Sequence, residues 1–378
     1  MTLTAFIGAK IHDGHRLTRD HAFLRTGNNF HSIVALDELP ADVTRINLNG
    51  GTICPGFVDL QVNGGGGVMF NDDQSVDALQ TIVNAHGRTG TSAILPTLIT
   101  DTPTRTSAAI DAVESAIQQG VSGIIGIHLE GPHLSVKRKG AHDPDLIREM
   151  TDQDMKIILD AARRLPNVLV TVAPENVNNK QVATLCASGV IVSLGHTDAS
   201  YETCMERCSH GATCATHLFN AMSQLTGREP GLVGAALDHA QVSMGMIADG
   251  IHVHPATIRN AMRANHGTGQ MFLVTDAMAT VGSDIRSFTL NGRTIYRKDG
   301  RLTLADGTLA GADLDMPTAL GVMVQQVGVD IETAIGMATS APIAVLHDNC
   351  GFGGFTNGKP AHAVYLNDAL QFVSGVFV

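Results

Sequence analysis

The stretch GIHLEGPH (126–133) follows directly on VSGII and closes an apolar run, GIIGIHLE (123–130), that reads as a buried strand. It nonetheless carries His128 and Glu130 before breaking at Gly131-Pro132. Carboxylates are rarely buried unless they are paired or bound to something. Seven more short apolar runs accompany it: ICPGFVDL (53–60), TSAILPTLI (91–99), VLVTVAP (168–174), VIVSLGH (190–196), ATCATHL (212–218), VSMGMIAD (242–249) and MFLVTDA (271–277). Between them lie segments with helical spacing, among them SVDALQTIVNAHG, TRTSAAIDAVESAIQQG, TDQDMKIILDAARRL and PATIRNAMRANHG, and several close on Gly. Strands of a parallel barrel are covered on both faces and therefore read as continuously apolar. Eight such runs alternating with helices predict an α/β chain with a (β/α)8 TIM-like barrel over residues 53–345. A doubly wound open sheet is the alternative, but no GxGxxG follows any run. Gly64 to Gly67 lacks the Lys-Ser/Thr of a phosphate loop and reads as a flexible turn.

The flanks have a different texture. Residues 1–52 hold short β-like pieces (LTAFIGAKIH, INLNGGTI), and residues 346–378 hold two more (GKPAHAVYL, LQFVSGVFV). They predict a small β-sandwich domain built from both chain ends, with the barrel inserted between them.

Composition limits the function. A chain of 378 residues, 44% hydrophobic, has ample material for one barrel-sized core. No apolar stretch approaches the roughly 18 residues of a membrane span. The start, MTLTAFIGAKIHDGHRLTRD, lacks the basic and apolar regions of a secretory signal, so a cytoplasmic location is expected. A net charge of −11 argues against a nucleic-acid partner, while a local basic pocket could still take a small anion. Six cysteines without a CxxC pair read as reduced thiols, with Cys204 and Cys208 packing on a helix.

Barrel active sites gather at the C-terminal ends of the strands. Glu130 ends the third run, His196 the fifth, His217 the sixth and Asp276 the eighth. Strand alternation puts Val192, Leu194 and His196 on one face, and Thr213, Ala215 and His217 on another. Cys214 then has the opposite parity and points toward the helices. Taken singly, each histidine is better explained as a hydrogen-bonded core residue. Four ionisable groups at equivalent strand ends are not explained that way. Glu130, His196 and His217 form a three-ligand set for a divalent ion that leaves a position open for water. Such an ion lowers the pKa of its water and polarises a carbonyl, with Asp276 as general base and acid. His128, one layer deeper on the face of Glu130, reads as support for the ligands, with ligation left open.

The ordered set PGFVDLQVNG, LPTLIT, HLEGPH, KGAHDP, LGHTDA, THLFNAM, GREPGLVGA, ADGIHV, LVTDAMA and TLAGADLDM resembles the amidohydrolase superfamily over about residues 53–345. Within it the set is most similar to the branch that deacetylates amino-sugar 6-phosphates. Many superfamily members have His-x-His at the end of the first strand; here Gln61 and Asn63 stand there and are expected to contact substrate. The resemblance then implies one divalent ion per subunit, Zn²⁺ first with Fe²⁺ or another ion as alternatives. It also implies that Ala141 and His142 line the acetyl pocket, with His142 polarising the amide carbonyl. Asn220, Ala221, Arg228 and His252 would hold the sugar phosphate, one anchor coming from the partner in a homodimer. Leu309, Ala310 and Gly311 would form pocket wall. The implied reaction is hydrolysis of the acetamide of N-acetyl-D-glucosamine 6-phosphate. The alternatives are the galactosamine epimer, a cyclic amide, which Glu130 in HLEGPH disfavours, and a non-catalytic scaffold on the same barrel.

Overall fold

The computed structural model describes residues 3–373. Its central element is an eight-stranded sheet of β1 (Phe57–Val62), β2 (Thr91–Ile99), β3 (Ile127–Glu130), β4 (Val168–Val172), β5 (Val190–Leu194), β6 (Cys214–Ala215), β7 (Ser243–Met246) and β8 (Met271–Leu273). The strands lie side by side in chain order, and every pairing is parallel. This is the (β/α)8 barrel expected from the eight runs. Its helices include α1 (Val76–Gly87), α2 (Pro103–Gln118), α3 (Asp152–Arg164), α4 (Asn179–Ala187), α5 (Tyr201–Ser209), α6 (Gly231–Asp238) and α7 (Pro255–Ala264). The sequence sets their starts: Ser75, Thr102, Thr151, Asn178 and Ser200 each accept a backbone N–H in the first turn. No helix among the described residues is long and apolar enough to cross a membrane.

The barrel closes between β8 and β1. Asp276 N–H donates to Gln61 O (3.0 Å) and Asn63 N–H to Ala277 O (2.8 Å). Below them the buried Asp59 carboxylate accepts Gln61 N–H (3.1 Å), Thr275 N–H (3.2 Å) and the Thr275 hydroxyl. A side chain here replaces rungs of the backbone ladder. Burial pushes the Asp59 carboxyl up to about 7 despite these hydrogen bonds.

Two four-stranded sheets make the small domain, in the order Asn29–Ala35, His21–Thr26, Leu3–Ile7, Thr44–Asn47 and the order Ala363–Leu366, Thr52–Pro55, Lys10–His12, Leu17–Thr18. Phe6 and Phe23 of the first share one core with Ile11, Ile53 and Tyr365 of the second. The expected division after residue 52 cuts through a strand. Thr52–Pro55 pairs with Lys10–His12 and Ala363–Leu366, so the run 53–60 is split between the two domains at Gly56. At Gly56 the chain passes so close to β2 that a Cβ would lie 1.6 Å from Ser92 Oγ. Phe372, in the expected final strand, bridges to Leu366, while residues 374–378 of that segment lie outside the described residues.

The expected alternation of faces fails at the strand ends. Ser193 Oγ and Thr171 Oγ1 both meet Thr216 Oγ1 at 2.6 Å inside the barrel, and Cys214, paired with Ser193, lines the same interior space as Ser193, Thr216 and His128. Cys214 therefore faces the interior rather than the helices, and Val192 and Leu194 do not share the face of Ser193. His196 and His217 lie beyond the last strand residues with φ of 46° and 32°. Left-handed backbone ends the two-residue alternation there, and parity counting stops with it. The cysteines are unpaired, as expected.

Candidate active site

A cavity of about 390 Å³ opens at the C-terminal ends of the strands. Glu130, His142, His196, His217 and Asp276 line it with Asn63, Ala141, Asn220, Ala221, His252, Leu309 and Gly311. His196, His217, Ala221 and Asp276 all have positive φ, at 46°, 32°, 48° and 51°. Strained backbone of this kind costs about 1–3 kcal/mol per residue and persists where surrounding packing imposes it.

Three atoms converge on the cavity floor. Glu130 Oε1 lies 3.0 Å from His217 Nε2 and 3.2 Å from His196 Nε2, and the two nitrogens are 3.0 Å apart. Burial alone would raise the Glu130 carboxyl, but hydrogen bonds from His196 and His217 hold it well below the ordinary carboxylate range. Burial opposes charge on His217 too, yet bonding to Glu130 raises it above the usual imidazole value. Ligand atoms of a tetrahedral ion with bonds of about 2.0–2.1 Å stand ~3.3 Å apart. A carboxylate and two imidazoles at these separations can hold one divalent ion. His142 belongs to a looser set, its ligand atom within 4.8 Å of those of Glu130 and His196. His196 Nδ1–H donates to Arg138 O (2.8 Å), which turns Nε2 to the cluster; on loss of the Nε2 proton that it shares with Glu130 it offers a lone pair there. His217 Nδ1 is buried and has no hydrogen-bond partner among the described residues. His128 is turned away: its nitrogens meet Leu60 O (3.0 Å) and Thr171 Oγ1 (2.8 Å), and burial pushes it down to about 4. Those contacts leave no nitrogen for a metal.

Asp276 faces this cluster from the seam. Asn63 Nδ2 donates to its Oδ1 at 2.7 Å and Gln61 Nε2 at 3.2 Å. Gln61 Nε2 also donates to Glu130 Oε1 (3.0 Å). The two amides thus spread donors across both carboxylates, and Asp276 Oδ2 is left without them. Burial, then repulsion from Glu130, pushes the Asp276 carboxyl up to about 6.

His142 stands on the opposite wall. The Thr100 backbone N–H donates to its Nδ1 (3.4 Å) and the Thr100 hydroxyl lies at 2.7 Å, so the ring proton is assigned to Nε2. Burial, then the neighbouring His196, holds His142 well below the usual imidazole value, so the ring is neutral. His252 pairs through Nδ1 with Asp249 Oδ2 (2.6 Å) near Asn220 and Ala221 on the cavity rim.

Three expected site residues stand elsewhere. Gln61 lies behind the carboxylates, Ala310 is buried in an apolar cluster with Ile99 and Met278, and Arg228 is exposed on a loop outside the cavity. Others had not been singled out. Thr100, at the end of β2, was open to the strand-end rule that found Glu130. Leu290 and Thr308 reach the cavity from an insertion after β8, where no periodic signal marks them.

The Amidohydrolase family matches residues 52–378. An N-acetylgalactosamine-6-phosphate deacetylase of Shewanella sp. (strain ANA-3) is 43% identical over 88% of this chain and 83% of its own length. An N-acetylglucosamine-6-phosphate deacetylase of Haemophilus influenzae is 33% identical over 98% and 97%. The crystal structure of N-acetylglucosamine-6-phosphate deacetylase from Pasteurella multocida superposes with a TM-score of 0.91 at 33% identity, over 98% of this chain and 97% of that one. On the barrel, its mouth and these likenesses together, the chain belongs to the amidohydrolase family.

Proposed function

We propose that the chain hydrolyses the acetamide of an N-acetylated amino-sugar 6-phosphate, with N-acetyl-D-glucosamine 6-phosphate as first substrate, giving the free amine and acetate. The observation that carries this reading is the triangle of Glu130, His196 and His217 with Asp276 beside it and a neutral His142 opposite. Glu130, His196 and His217 would hold one divalent ion, Zn²⁺ first, which supplies Lewis-acid polarisation and makes water a stronger acid.

The chain's own groups do the rest. Asp276, oriented by Asn63 and Gln61, takes a proton from the attacking water and delivers it to the departing nitrogen. An amine leaves poorly without that proton. His142 Nε2–H donates to the carbonyl oxygen as it gains charge, and its neutrality suits a hydrogen-bond donor that keeps its proton. Ala141 and Leu309 pack against the acetyl side, while Asn220, Ala221 and His252 meet the phosphate. Arg228, exposed and outside its own cavity, is suited to reach the cavity of a second copy, which makes the active form a homodimer.

The 43% identity to a galactosamine-type deacetylase favours a second reading in which the C4 epimer is preferred. Acetate release from both epimers, each with and without the 6-phosphate, tests both readings alongside metal analysis. Turnover of either 6-phosphate supports deacetylation, and the ratio of kcat/KM values assigns the epimer. No acetate from any of them, with metal bound, overturns the reaction.

A further inference from the structure

We propose that the three-stranded insertion after β8 is a strap across the active-site mouth, and that Arg293 is the positioning residue through which it grips the Ser135–His142 loop. The kinetic consequence rests on the deacetylase reading; the structural one does not.

The insertion consists of Ser287–Leu290, Arg293–Lys298 and Arg301–Thr303, paired antiparallel. Its base is fixed to the barrel. Arg297 donates to Asp313 Oδ2 (2.7 Å) and Ser283 O (2.8 Å), and the Thr280 hydroxyl donates to Asp313 Oδ1 (2.9 Å). Its inner face buries Leu290, Ile295 and Leu302 in the apolar cluster on which Ala141 packs. From this platform Arg293 Nη2 donates to the carbonyl oxygen of Ala141, 152 positions away in the chain. A guanidinium bonded to a partly buried carbonyl is a charge-assisted contact, stronger than a neutral one.

The gripped loop positions two site residues. Arg138 O receives the Nδ1–H of His196 (2.8 Å), and His142 directly follows Ala141, its N–H on Lys139 O (2.9 Å). The first half of the loop is anchored independently, by Ser135 N–H on His196 O (2.8 Å) and by Arg138 on Asp198 (2.8 Å). Between Lys139 and His142 the chain turns through Gly140 at φ 52°, and Arg293 secures this half from outside the loop. Without it, Ala141 loses its outside anchor and His142 is held from outside the loop by the contacts of its ring with Thr100, while His196 stays in place.

The loop carries its own reporter. Lys137, Arg138 and Lys139 are tryptic sites, and the Lys137 side chain is 79% exposed. Arg293→Ala and Arg293→Lys would be compared with wild type for tryptic cleavage within 137–139, bound metal, and deacetylation kinetics. In Arg293→Ala we expect cleavage at least ~10-fold faster, unchanged metal content, and a kcat loss of at least ~10-fold with a smaller change in KM, as for an interaction realised mainly in the transition state. Arg293→Lys, which keeps a cationic donor, should recover part of both. Should Arg293→Ala not fold, the Lys variant and the corresponding Gln substitution decide the matter. Cleavage no faster than wild type overturns the strap, whatever the activity. Faster cleavage with full kcat overturns the positioning role. A wild type that deacetylates nothing overturns the proposed reaction instead, and the proteolysis comparison still decides the strap.

Discussion

Glu130 is buried, yet its environment favours the ionised form, because two imidazoles and an amide converge on one of its oxygens. Asp276 sits close by in the opposite electrostatic condition, raised to about 6. Two carboxylates pushed apart in this way can divide the work, one held charged and one able to exchange a proton. Asp276→Asn should therefore retain its metal and bind substrate while kcat falls by about 10²–10⁴. Steady-state kinetics with metal analysis checks this, and near-normal kcat would place the base elsewhere. The pH profile has a definite sign. A carboxyl must be unprotonated to accept a proton, so kcat/KM should fall with decreasing pH, on a limb that lies below about 6 once a cation is bound. A cation among the three ligands shifts that limb lower, because it favours the carboxylate. Glu130, His196, His217 and Asp276 were legible in the sequence because each interrupts an apolar run at its C-terminal end. The faces of the two histidines were not legible, since their positive φ follows from packing that no periodicity encodes.

Strand β1 carries two consequences at the scale of an element. Its C-terminal end bears neutral amides that donate to Asp276, where a two-metal centre needs lone pairs. Titration with Zn²⁺ should give about one tightly held ion per chain by the ligand-count argument. His217→Ala should lose that ion and the activity together, and two tight equivalents would contradict the assignment. Lower in the strand, Asp59 closes the barrel. Asp59→Ala leaves two backbone N–H groups and a hydroxyl without acceptors, for a loss on the order of 3 kcal/mol or more, read by denaturant unfolding. Asp59→Asn keeps one acceptor and should lose less. Because the folded carboxyl is raised to about 7, the native state holds a proton that the unfolded chain releases at lower pH. Wild type should thus lose stability relative to Asp59→Asn as pH climbs from the ordinary carboxylate range through about 7. Parallel pairing announced the barrel strands through continuous apolarity. The antiparallel insertion gave no such sign: in Ser287–Leu290 and Arg293–Lys298 only Leu290 and Ile295 are buried, too few to form an apolar run.

At the scale of the molecule, the cavity of one chain carries His252 but not Arg228, so its phosphate end is incomplete in the proposed reading. Mixing Asp276→Asn chains with Arg228→Ala chains should restore some activity, since one of the two hybrid sites would combine an intact base with an intact anchor. Acetate release after demonstrated subunit exchange measures it; no recovery would exclude the shared site. Arg228→Ala alone should damage kcat/KM on the 6-phosphate far more than on the free sugar. The paired ends of the chain bear on how the molecule is made. Lys10–His12 and Ala363–Leu366 flank Thr52–Pro55 in one sheet, so that sheet lacks a member until residue 366 has left the ribosome. During synthesis Ile11 and Ile53 wait with their apolar side chains uncovered on that side while the barrel is being laid down. The step that completes this sheet is therefore a clasp, fastened by residues 363–366 onto a pair of strands made about three hundred residues earlier.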